Sequence, residues 1–74
     1  MNKNIALLYM LETLTKKGWL GKKDITEKLE LTDVSFYRYL RSLRNYLKYA
    51  NDGRSLNYDR NSNIYILVNK VIED

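Results

Sequence analysis

An α+β domain, three helices followed by a C-terminal β-hairpin in a small antiparallel sheet, is the fold class this 74-residue chain predicts. Three observations predict it. Over residues 32–47 apolar side chains recur with the 3.6-residue period of a helix, at Phe36, Leu40, Leu43 and Leu47. Over residues 56–68 the period drops to two, with Leu56 and Tyr58 alternating with Asn57 and Asp59, and Ile64, Ile66 and Val68 with Tyr65 and Leu67. Between them Asn51, Asp52 and Gly53 supply a helix-breaking loop.

The first helix is expected over residues 4–17, with Ile5, Leu7, Leu8, Leu11 and Leu14 as its main apolar positions. Gly18, a residue favoured just past helix C-termini, stops it, and Lys16 and Lys17 complement the negative end of its dipole. Leu7, Leu8, Met10 and Leu11 cover more than one narrow stripe. The helix is therefore read as a central core helix, with burial of a second side against another subunit as the alternative. Trp19 and Leu20, between Gly18 and Gly21, form a turn or a stub of strand whose expected partner is a C-terminal strand. Trp19 is expected to be buried.

A second helix is expected over residues 22–29, with Ile25 and Leu29 facing inward and Lys22, Lys23, Glu27 and Lys28 solvated. Glu30 and Leu31 then form a tight turn into Thr32. Thr32 suits an N-cap, because its hydroxyl can accept from an unpaired backbone N–H, and Asp33 suits the positive end of the helix dipole. On the third helix, Val34, Arg38, Arg41 and Asn45 lie opposite the apolar stripe, flanked by Tyr37, Arg44 and Lys48. After the loop, residues 60–63 connect the two strands, and Asn61 and Asn63 tolerate the positive φ a tight connection requires. Residues 69–74 read as a tail or a short last helix.

Composition narrows the function. A chain of this length is one small domain, burying roughly 60% of the surface its unfolded form exposes. Cysteine and histidine are both absent, which excludes disulfides and thiolate metal sites and removes the commonest general base and metal ligand. The net charge of +4 and a pI near 9.4 favour a polyanionic partner. The longest apolar run, residues 5–11, is far below the roughly 20 residues a membrane span needs, and Glu12 interrupts it before any signal-peptide cleavage site. A cytoplasmic chain is expected, with no cofactor, metal, membrane or small-molecule ligand.

Three helices followed by a β-hairpin is the order of a winged helix, with a helix-turn-helix over about residues 22–47 and a wing over about residues 55–68. The chain resembles the N-terminal winged-helix domains of DeoR-like and WYL-domain transcriptional regulators across roughly residues 3–68. The resemblance rests on Ser35-Phe36-Tyr37-Arg38 with Leu40, Arg41 and Leu43, and on Tyr58-Asp59-Arg60 with Tyr65. It implies that the third helix enters the DNA major groove, with Thr32, Val34, Ser35, Tyr37, Arg38 and Arg41 facing DNA and Arg60 at the wing. Asp33 and Val34 stand where relatives place basic or polar residues, and suit a cytosine amino group and a thymine methyl respectively. Glu30 stands where glycine is usual in the turn, which implies backbone strain or a changed turn. Asn63 stands at another common glycine, and Tyr39 where an acidic residue is usual. No effector or WYL segment follows within these residues, so ligand sensing is expected to come from elsewhere.

Lys22 and Lys23 open helix two, an end that commonly meets phosphate, and join the expected DNA contacts. Arg38, Arg41 and Arg44 recur every third residue and turn about 60° per step around the helix, a ridge able to follow a groove. The expected function is sequence-specific binding of double-stranded DNA by a small transcriptional regulator. It would be a repressor acting by promoter occupancy, homodimeric through the first helix, the tail of residues 70–74, or both. Two other readings stay open: a winged-helix protein-interaction module using Tyr37, Tyr49 and Trp19, and an accessory DNA-binding factor in replication or recombination. Duplex RNA is disfavoured because its deep, narrow major groove will not admit the helix. An enzyme is disfavoured most, since Asp24 and Glu27 have no nucleophile or pKa-shifting neighbour in the sequence.

Overall fold

A computed structural model describes residues 2–69, so the tail of residues 70–74 lies outside the described residues, along with the dimer contacts expected of it. The elements run α1 (Lys3–Lys17), β1 (Trp19–Gly21), α2 (Lys22–Leu29), α3 (Asp33–Ala50), β2 (Arg54–Asp59) and β3 (Ile64–Asn69). Together they form a small α+β fold of three helices and a three-stranded antiparallel sheet.

Asn2 caps α1, its side chain accepting from Asn4 N at 2.8 Å and Ile5 N at 3.4 Å. At the other end Gly18 adopts φ 85°, and its N–H donates to the Leu14 carbonyl at 2.8 Å. The inward face of α1 differs from the expected one. Ala6, Met10 and Leu14 are fully buried, whereas Leu7 and Leu11 are half-buried and Ile5 and Leu8 stand 57% and 66% exposed. Fit sets the buried stripe rather than side-chain size, because a small residue lets the helix approach its neighbours closely.

The β1 stub pairs with a C-terminal strand as expected, and that strand is β3, with Trp19 opposite Ile66, Leu20 opposite Tyr65 and Gly21 opposite Ile64. β3 also pairs with β2, from Arg54 opposite Asn69 to Asp59 opposite Ile64, so the strand order is β1-β3-β2. Leu20 is buried, and strand alternation then turns Trp19 to the other face. Trp19, expected buried, is only half-buried, with Lys17 Nζ 5.2 Å from its ring centroid.

α2 buries Ile25 and Leu29 as expected. It ends on Glu30, held at φ 53° and ψ 48°, a left-handed conformation that costs a non-glycine residue about 1–2 kcal/mol. α3 buries Phe36, Leu40, Leu43 and Leu47, the stripe read from the sequence. It runs on to Ala50, because no helix breaker stands before Asn51, which caps it at φ 51°. The loop is correspondingly shorter than expected, and β2 begins at Arg54. In the hairpin turn Asn63, at φ 55°, takes the left-handed position and Asn61 does not.

One buried cluster draws on every helix and strand, and Phe36, Met10, Leu14 and Leu20 are its largest fully enclosed side chains. Burying a side chain of this kind is worth about 1.5–3 kcal/mol. Leu56 and Tyr65 carry the hairpin into this cluster, which fixes it relative to α3. No helix among the described residues is long and apolar enough to cross a membrane.

Candidate functional site

The outward face of α3 is positioned by its cap and by an aromatic chain. Thr32 Oγ1 accepts from the Ser35 backbone N–H at 3.1 Å and donates to Ser35 Oγ at 3.1 Å. The two hydroxyls expected to face outward as contacts thus spend hydrogen bonds on each other and on starting the helix. Further along, the ring of Tyr37 lies 5.5 Å from that of buried Phe36, Phe36 lies 5.8 Å from Tyr65, and Tyr65 lies 5.0 Å from Tyr58. These centroid spacings are those of favourable edge and tilted aromatic pairs. They tie an exposed residue of α3 to the hairpin through the core.

Lys22 Nζ sits 3.2 Å from Asp33 Oδ2 and 5.4 Å from the ring centroid of Tyr37. The Asp33 hydrogen bond, then the Tyr37 hydroxyl, push the Lys22 ammonium above its ordinary pKa. Asp33, placed by the sequence against a cytosine amino group, has one carboxylate oxygen engaged in joining the start of α2 to the start of α3. Lys22, expected to be solvated, is half-buried in this cluster for the same reason.

Beyond that cluster lies a shallow groove of about 350 Å³ lined by Val34, Tyr37, Arg38 and Arg41. Val34 is 66% and Tyr37 49% exposed, and both arginines are exposed. No carboxylate lines the groove. An apolar methyl surface, a phenol and two guanidiniums that share one face can contact a flat apolar group and bind anions bidentately. Of the other expected contacts, Lys23 is exposed on the first turn of α2, and Arg60 is exposed in the hairpin turn. That turn is held by Tyr58 Oη donating to Asn63 Oδ1 at 2.6 Å and by Asn61 N donating to Asp59 Oδ1 at 3.3 Å. Neither Lys23 nor Arg60 joins the groove or the Lys22 cluster.

A second cationic group joins residues that the sequence does not bring together. Arg44 donates to the Leu56 carbonyl at 2.7 Å, and Arg54 Nε donates to Asp52 Oδ2 at 2.7 Å. With Lys48 they line a pocket of about 240 Å³ between the last turns of α3 and the start of β2. The ridge Arg38, Arg41, Arg44 points to the helical part of this group. Nothing in the local period brings Arg54 back to it, because that contact depends on how the hairpin folds onto α3.

Among the described residues no cluster of three or more histidine, cysteine, aspartate or glutamate side chains could hold a metal. Comparison with protein-family models, curated proteins and solved structures finds no match, so the interface stands on its own geometry.

Proposed function

We propose that the protein is a winged-helix DNA-binding protein, a small transcriptional regulator that represses by occupying its site on duplex DNA. The observation that carries this reading is the carboxylate-free groove of Val34, Tyr37, Arg38 and Arg41 on the exposed face of α3. A helix of α-helical diameter fits the B-DNA major groove, where arginine pairs bidentately with guanine and an apolar side chain meets the thymine methyl. The α2–turn–α3 pair followed by the hairpin supports the helix-turn-helix and wing assignment, and the likeness to DeoR-like and WYL-domain regulators supports the regulatory role. Arg38 and Arg41 contact bases or phosphates, Val34 contributes to base preference, and Lys22 and Lys23 approach phosphate from the start of α2. Asp33 orients Lys22. Arg60 meets the adjacent backbone from the wing.

The protein acts as a homodimer. A single module of this size buries little DNA surface, and two copies reading two half-sites gain affinity. The exposed Leu8, which lines an apolar groove with Leu7, Leu11, Ser42, Leu43 and Tyr46, and the exposed Ile5 one turn before it on α1 are the surface for the second copy.

The test is binding to sites selected from random duplex DNA. Arg38→Ala and Arg41→Ala should each lower affinity by about 1–3 kcal/mol, roughly 5- to 150-fold. The melting temperature should change little, because both side chains are exposed. Unchanged affinity in both variants would overturn the assignment of this face. A protein-interaction module, favoured by the exposure of Tyr37 and Tyr49, would show little salt dependence, whereas phosphate contacts make log K fall with log salt by about 0.9 per contact.

A further inference from the structure

We infer that the pocket formed by Arg44, Lys48 and Arg54 is a seat for a DNA backbone phosphate where α3 leaves the major groove. The inference rests on the duplex-binding reading and adds a contact that reading does not contain. The first support is length. The 18 residues of α3 extend about 27 Å, against a major groove about 12 Å wide. With the Val34, Arg38 and Arg41 surface in the groove and the helix laid across it, the C-terminal half of the helix passes the line of phosphates. Lys48 stands about 10 Å along the axis from Arg41, and both Arg44 and Lys48 point within about 60° of it around the helix. The cationic surface is therefore continuous from the groove to the pocket.

The second support is the chemistry of the pocket itself. Its lining of Arg44, Leu47, Lys48, Arg54, Ser55 and Leu56 contains no carboxylate. Arg44 is held in place by the Leu56 carbonyl, and Arg54 by Asp52, so two guanidiniums are oriented before any ligand arrives. Asp52 offsets one of the three positive charges. Lys48 has no hydrogen-bond or ion-pair partner among the described residues. A net excess of two charges also outweighs the partial negative charge at the C-terminal end of α3. A compact phosphate fits a pocket of about 240 Å³ and accepts from all three side chains.

Lys48→Ala tests this, because an exposed, unpaired lysine is removed without touching the core. On a selected duplex, the slope of log K against log salt should become shallower by about 0.9, and by the same amount on unrelated sequences, since a phosphate contact carries no sequence information. Neutral methylphosphonates placed one at a time along the duplex locate the contact. At one phosphate the replacement should weaken the unsubstituted protein more than Lys48→Ala, in which only Arg44 and Arg54 still reach it. An unchanged slope, with every methylphosphonate weakening both proteins equally while Arg38→Ala still loses affinity, overturns the phosphate seat and leaves the DNA-binding reading standing. Failure of the unsubstituted protein to bind any duplex overturns both.

Discussion

α1 and α3 pack into the same core, yet their outward faces differ in where charge and apolar surface lie. α3 buries its whole apolar stripe and presents Arg38, Arg41, Arg44 and Lys48 to solvent. α1 buries Ala6, Met10 and Leu14 and leaves Ile5 and Leu8 outside. A charged outward face is stable in water as it stands, and gains only from a polyanion that releases counterions on contact. An apolar outward face is unfavourable in water until something covers it. The two helices therefore call for different partners, and each can be perturbed without the other.

The largest effects belong to the stripe inside α3. Phe36→Ala removes the ring that links α3 to the hairpin and should lower stability by about 3–5 kcal/mol, read from the urea midpoint. On α1 the corresponding contrast is internal. Met10→Ala should cost about 2–5 kcal/mol, whereas Leu8→Ala should stay within about 0.5 kcal/mol at concentrations where the protein is monomeric. Leu8→Lys, by contrast, should abolish the proposed self-association through α1 in sedimentation while leaving the monomer fold intact. Comparable losses at Met10 and Leu8 in the monomer would show that α1 has no free apolar face.

The two helix ends give a smaller contrast. α1 ends left-handed on Gly18 at φ 85°, and α2 ends left-handed on Glu30 at φ 53°. Glycine relieves the Cβ clash that glutamate bears there, by about 1–2 kcal/mol, but loses more chain entropy on folding, by about 0.5–1 kcal/mol. Glu30→Gly should accordingly stabilise the protein by about 0.5–1 kcal/mol, a rise of roughly 2–8 °C in melting temperature. Loss of stability in that variant would mean that the Glu30 side chain makes a contact outweighing the strain.

What the sequence made legible follows from how local each cause is. The α3 stripe, the Thr32 cap and the hairpin period depend on neighbours within a turn or two, and all were readable; the strain at Glu30 was indicated only by the resemblance, and of the two asparagines offered for the turn only Asn63 is left-handed. The partner of the β1 stub was also readable, since a short strand between glycines has few places to pair. The inward face of α1 was not, because leucine is apolar whether or not a neighbour covers it, and only packing selected Ala6 and Met10. At the candidate interface, the exposed arginines of α3 follow from helical spacing. The Lys22–Asp33–Tyr37 cluster and the Arg44–Lys48–Arg54 pocket join residues far apart in the chain, and depend on how α2 and the hairpin lie against α3. This is why Asp33 reads as a base contact in the sequence and as a partner of Lys22 in the fold.

The smallest predicted effect contrasts the two tyrosines paired across the hairpin. Tyr58 is 49% exposed and Tyr65 only 8%. Burial pushes the Tyr65 hydroxyl above its ordinary pKa near 10, with Tyr37 and Tyr58 adding to the rise. The folded chain then keeps this proton to a higher pH than the unfolded chain does. Stability from Tyr65 is complete below the ordinary tyrosine range and declines as pH rises through the folded value, because the unfolded state there binds fewer protons. Lys22 and Lys16, also raised, contribute in the same direction. Tyr65→Phe separates Tyr65 from them, since it removes one ionisation and leaves Lys22 with Asp33 and Lys16 with Glu12. The variant should lose stability less steeply above about pH 10 than the unsubstituted protein, and tyrosinate absorbance should lose its latest-titrating component. An identical alkaline decline in both would leave Tyr65 without a part in it and place the effect on the raised lysines, Lys22 and Lys16.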